Sequence, residues 1–77
     1  MKNNEYIGTL GRRQLKAEVF SKPHMNGYRI LKIWLNDVLI YCDVLIDMGT
    51  RTLEELARLI AINSVKHGKI HFGKVVK

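Results

Sequence analysis

YRILKIWLNDVLIYCDVLI, residues 28–46, is the stretch on which the fold turns. From Tyr28 to Leu35 the side chains alternate, with Leu31, Ile33 and Leu35 on one face and Tyr28, Ile30, Lys32 and Trp34 on the other. That period of two predicts a strand with two unlike faces. Asn36-Asp37 supplies residues tolerant of the left-handed region, so a tight hairpin is expected to return the chain from Val38 to Ile46. Val38, Ile40, Cys42, Val44 and Ile46 form one apolar set in the returning strand, while Leu39, Tyr41 and Leu45 lie among the other. A strand apolar on both sides belongs at the centre of a sheet, with a helix over one face.

Outward from this hairpin the pattern continues. Tyr6–Leu10 and Gln14–Phe20 read as two short strands or as one long strand bent at Gly11, where positive φ is free. Leu15, Ala17 and Val19 face a core, and Lys16, Glu18 and Phe20 face away from it. Residues 22–27 form a loop that ends in Asn26-Gly27, a strong turn pair. Downstream, Thr52-Leu53-Glu54-Glu55 is a capping-box pattern that starts a helix running to Lys66 or His67, with Gly68 past its end. Leu53, Leu56, Ala57, Ile60 and Ser64 share its core face; Ile62 lies opposite, and Leu59 and Val65 lie on the flanks. Lys69–Val76 is expected to be a last strand with Ile70 and Phe72 inward. The fold class is therefore α+β: one domain, residues 1–77, with a four- or five-stranded antiparallel sheet or small barrel. Its one helix, about 53–66, falls between the penultimate and last strands. Leu15, Val19, Leu31, Ile33, Leu56, Ile60, Ile70 and Phe72 are the expected core.

Composition narrows the function. Lys and Arg number 13 against 7 Asp and Glu, and the charge is divided by position: net +5 over residues 1–36, −4 over 37–55 and +5 over 56–77. Basic ends brought together by folding would suit a phosphate backbone or an acidic protein. The single cysteine, Cys42, excludes an intrachain disulfide and a cysteine-rich zinc cluster, and it points to a reducing, cytoplasmic setting. Neither a signal peptide nor a membrane span is expected, because the most apolar stretch is interrupted by Arg29, Lys32, Asp37, Asp43 and Asp47.

No catalytic motif stands out, and neither a cofactor nor a metal site is expected. His67 and His71 are four apart, but Gly68 ends the helix between them. Cys42, alternating with apolar residues, reads as a buried thiol. Asp37, Glu54 and Glu55 are explained by turn and cap chemistry, and Asp43 with Asp47 reads as a solvated stripe. The heaviest constellation is Tyr28, Lys32 and Trp34 on one strand face beside Lys16 and Phe20 on its neighbour. Aromatic planes stack on unpaired bases and interleaved lysines neutralise phosphates. Arg12-Arg13 in a turn, with Lys74 at the far end of the chain, adds phosphate contacts.

The element order Tyr6–Phe20, Tyr28–Leu35, Val38–Ile46, helix, Lys69–Val76 resembles the OB-fold, whose helix lies between the third and fourth strands. That resemblance implies a ligand lying across the second and third strands, here over Tyr28, Lys32, Trp34 and Tyr41. The fifth strand of that family requires the N-terminal segment to be split. In size and lack of catalytic residues the chain is also similar to small phage-encoded inhibitors of host or defence machinery. Two functions are expected from different classes. The first is non-enzymatic binding of single-stranded nucleic acid through Arg12, Arg13, Lys16, Tyr28, Lys32, Trp34 and Lys74. The second is a protein–protein inhibitor or adaptor on an acidic or nucleoprotein partner, anchored by Phe20, Trp34 and Ile62. Leu59, Ile62 and Val65 leave apolar area outside the core face of the helix, which predicts a two-fold homodimer through the helix or the last strand.

Overall fold

A computed structural model describes residues 2–21, 29–45 and 49–72, with side chains described over 4–20, 29–45 and 49–70. The loop 22–27, together with Tyr28, Ile46, Asp47, Lys74 and the side chain of Phe72, lies outside the described residues. In chain order the elements are β1 (Lys2–Leu10), β2 (Arg13–Ser21), β3 (Arg29–Leu35), β4 (Val38–Leu45), α1 (Leu53–His67) and β5 (His71–Phe72). They form one sheet in the order β1-β2-β3-β4-β5, crossed on one side by α1.

The two N-terminal runs are separate strands joined by a two-residue turn, and not one bent strand. Leu10 pairs with Arg13 across Gly11-Arg12. Gly11 has φ 62°, whereas Arg12 keeps negative φ, the pattern of a hairpin turn that needs glycine at its first central position. At the other hairpin Asn36 and Asp37 have φ 51° and 64°, so both central residues are left-handed, as the residue types demand. Asn36 also ties the two hairpins together. Its N–H donates to the Gln14 carbonyl and its Oδ1 accepts from the Gln14 N–H, each at 2.9 Å.

β1 to β4 are a meander of antiparallel neighbours, but β5 runs parallel to β4. The four antiparallel strands are the sheet expected, and the two-residue β5 adds to it in parallel. A helix inserted after β4 carries the chain back to the end where β4 began, so the next strand enters in the same direction. The sheet is open, with β1 and β5 at opposite edges.

The helix forms as its sequence requires. Thr52 Oγ1 accepts from the Glu55 N–H at 3.1 Å and Glu55 Oε1 accepts from the Thr52 N–H at 3.5 Å, closing the capping box. Gly68 ends the helix at φ 63°. Leu53, Ala57 and Ala61 are its buried strip, seated on Leu15, Ala17 and Val19 of β2 and on Leu31, Ile33 and Leu35 of β3. Leu56 and Ile60 are half-buried at the margin, and Ile70 is 55% exposed in the connection before β5, so these three are not the core residues expected.

One side chain braces the helix against the sheet edge. Arg58 donates from Nη2 to the Tyr6 hydroxyl at 3.2 Å and from Nε to Glu54 at 3.1 Å. The Tyr6 ring lies along its own strand over Gly8, where a methyl group would collide with the hydroxyl end of the ring. Glycine at position 8 is thus the space that lets β1 carry this brace.

Because Ile33 is wholly buried and Leu56 is only half so, Ile33→Ala should destabilise by about 2–5 kcal/mol through the cavity it leaves. Leu56→Ala should cost clearly less. Urea unfolding followed by circular dichroism gives both values, and equal losses would contradict the placement of the core.

Candidate nucleic-acid interface on the outer sheet face

The face of the sheet away from α1 is laid out in rows by the strand register. Ile7, Lys16, Trp34 and Leu39 make one row; Glu5, Glu18, Lys32 and Cys42 the next; Phe20, Ile30 and Val44 the third. The last two rows depend on a bulge. Ile33 pairs with Tyr41 and Trp34 with Leu39, leaving Ile40 as the extra residue. Before the bulge the even positions of β4 face the helix; after it the odd positions do. Ile40 and Leu45 therefore both join the core, while Cys42 and Val44 pass to the outer face. The uniform apolar set expected over Val38–Ile46 is split by that one residue.

Ile30 faces outward in register between Phe20 and Val44 and is nonetheless 0% exposed. It lies beneath the face rather than on it. On the same face, cations sit over aromatic rings: Lys32 Nζ is 5.3 Å from the centre of the Phe20 ring, and Lys16 Nζ is 5.2 Å from that of Trp34. Both fall within the about 6 Å reach of a cation–π contact, worth about 0.5–1 kcal/mol at exposed sites. Phe20 is accordingly half-buried rather than a free anchor. Glu18 is buried within this face and lies 3.7 Å from Lys16, directly across from Lys32 in register. With Glu5 in the same row, Lys16 and Lys32 are matched by two carboxylates among the described side chains of this face.

Of the residues expected to bind phosphate and bases, the structure brings together Lys16, Lys32 and Trp34. Arg12 is at the β1–β2 turn, at the same end of the sheet as the Trp34 row. Arg13 departs from the group. It has the strand parity of Leu15 and Ala17 and so belongs to the helix side, where it lines a groove with Lys66. Tyr28 and Lys74 lie outside the described residues.

Two concavities flank the helix. One, of about 280 Å³, is lined by Ile40 and Tyr41 of β4, by Ile60, Asn63, Ser64 and His67 of α1, and by Lys69. Burial, then the charge of Asp43, then that of Cys42, raises the Tyr41 hydroxyl above its ordinary value of 10.0. The other, of about 460 Å³, runs between the β1–β2 turn and the C-terminal half of the helix, lined by Leu10, Gly11, Arg12, Arg13, Ile62, Val65 and Lys66. Nothing in the sequence marked this second groove, because it joins residues about fifty positions apart. Cys42 is buried, and among the described residues no group of three or more His, Cys, Asp and Glu stands where it could hold a metal ion. Among those residues, too, no helix is long and apolar enough to cross a membrane. Compared with family models, curated proteins and solved structures, the chain matches none.

Removing the cation from over Trp34 should open the ring to solvent. Lys16→Ala is expected to raise the acrylamide quenching of the only tryptophan, while Lys16→Met, which keeps an apolar stem over the ring, should raise it less. A second expectation concerns alkaline pH. The folded state holds the Tyr41 proton more tightly than the unfolded chain does, so its contribution to stability is intact below pH 10.0 and is lost as pH rises through the folded value. Tyr41→Phe should flatten that decline in denaturation midpoints measured across the alkaline range.

Proposed function

We propose that this chain is a non-enzymatic binding domain that takes single-stranded nucleic acid across its outer sheet face. The observation that carries the reading is Trp34, half-buried on the strand at the centre of the sheet, on the face no helix covers, with a lysine amine over its ring. A base displacing Lys16 from that ring would stack on the indole and release the amine to a phosphate. Lys32 serves the next row and Arg12 the sheet end toward which the strand would run. The burial of Ile30 supports the same reading, because the residue least suited to a base-stacking surface does not reach it. The likeness to OB-folds implies a ligand across the strands that are here β3 and β4; Tyr41 of β4 lies on the helix side, so only Lys32 and Trp34 of that placement enter this reading, and barrel closure plays no part.

The electrostatics set the expected strength. Among the described side chains Glu5 and Glu18 offset Lys16 and Lys32, so affinity is modest and few counterions are displaced. Titration with a fluorescent oligouridine should show binding whose logarithm falls against log salt with a slope of about −2, the value for roughly three phosphate contacts on a single strand. Trp34 emission should be quenched in step with the anisotropy, and Trp34→Ala should weaken single-strand binding far more than duplex binding. Binding without tryptophan quenching, or none at low salt, refutes this reading. The other expectation, an adaptor or inhibitor on an acidic partner, is carried by a different surface.

A further inference from the structure

We propose that the groove between the β1–β2 turn and the C-terminal half of α1 is a docking site for an acidic, apolar peptide segment of a partner protein. Its floor and its rim have different chemistry. Leu10 comes from the strand side, and Ile62 and Val65 from the helix, where they remain 50% and 46% exposed. Arg12, Arg13 and Lys66 stand around them, and none of the seven lining residues is acidic. Among the described residues these three cations take part in no ion pair, unlike Arg58 and Lys16, which hold Glu54 and Glu18. A groove of about 460 Å³ lies within the roughly 300–1,000 Å³ range of ligand sites, enough for a few apolar side chains but not for a folded domain.

Charge selects the occupant. A second copy docked about a two-fold axis would bring the same three cations of each protomer against one another, which is repulsive where apolar burial is greatest. A nucleic acid would satisfy the cations but would leave Leu10, Ile62 and Val65 facing phosphates and sugars. A segment with carboxylates flanking bulky apolar residues satisfies both parts: apolar side chains enter between hairpin and helix, and the rim cations meet the acids. The site lies on the opposite side of the sheet from Trp34 and does not rest on the nucleic-acid reading.

The test is to pan a display library of random peptides on the full chain and on the double variant Arg13→Glu, Lys66→Glu. All the changed side chains are exposed, and an amide correlation spectrum checks that the variant is folded. Enriched sequences should combine Asp or Glu with Leu, Ile, Phe or Trp. A synthesised representative should shift the amides of Leu10, Arg12, Arg13, Ile62, Val65 and Lys66 but not those of Lys16 and Trp34, and the double variant should weaken it by about tenfold or more. Ile62→Ser should weaken it as well, with the charges intact. No enrichment, enrichment of basic or neutral peptides, or equal affinity for the variant overturns the proposal. So does sedimentation showing a dimer that Ile62→Ser dissolves, or groove shifts produced by oligouridine or anionic vesicles and not by the peptide.

Discussion

Ala57 and Ala61, one helical turn apart on α1 and both wholly buried, govern how the rest of the molecule is placed. Small side chains at these positions, in one buried cluster with residues of β2 and β3, let the helix backbone settle close to the sheet, and a larger one would lift the helix off it. The capping box at Thr52 and the left-handed Gly68 fix where the helix begins and ends. With its rotation set by the Leu53–Ala57–Ala61 strip, one flank, Arg58, Ile62 and Val65, overhangs β1 and its turn, and the other, Ile60, Asn63 and His67, faces β4. Both grooves are the gaps left along those flanks. The leucines and isoleucines beside the strip are half-buried because the alanines, not they, set the distance.

A second constraint acts inside the sheet. The extra residue at Ile40 changes which positions of β4 meet the helix, so the strand gives Ile40 and Leu45 to one layer and Cys42 and Val44 to the other. On the outer face Ile30 and Cys42 are both buried, in neighbouring rows. The Lys16 and Lys32 amines stand over Trp34 and Phe20 at cation–π distance. Glu18 is held in that layer by Lys16 and by its position opposite Lys32. Among the described side chains, Lys16 and Lys32 are thus offset by Glu5 and Glu18 on the outer face, while Arg12, Arg13 and Lys66, in no ion pair, gather at the hairpin end of the helix.

Elements whose cause is local were legible from the sequence. Asn36-Asp37 can only turn tightly, Thr52 with Glu55 can only start a helix well, and the alternation from Leu15 to Val19 has one reading. Size alone points to Leu56 and Ile60 as the helix's core residues, yet depth at a helix–sheet contact favours the small Ala57 and Ala61 where backbones approach. Ile70 misses the core for another reason, because β5 begins one residue after it. The candidate interface was half legible: Lys16, Glu18 and Phe20 share a face by strand parity alone, as do Lys32 and Trp34, whereas Glu5 joins the Glu18 row only once β1 pairs with β2.

The amino-acid order by itself determined the strand runs, the Asn36-Asp37 turn, the helix and its caps, and the two faces of β2 and β3, because each depends on residues within a few positions of one another, while the hairpin at Gly11-Arg12 was settled only by the pairing of β1 with β2. Only the tertiary structure decided that β5 lies parallel to β4, that the bulge exchanges the faces of β4, that Ile30 is buried on the helix-free side, and that Arg13 stands beside Lys66. Those outcomes depend on which surfaces meet across long stretches of chain, where the free energy comes from close packing of whole layers, and no short pattern of residues encodes the meeting.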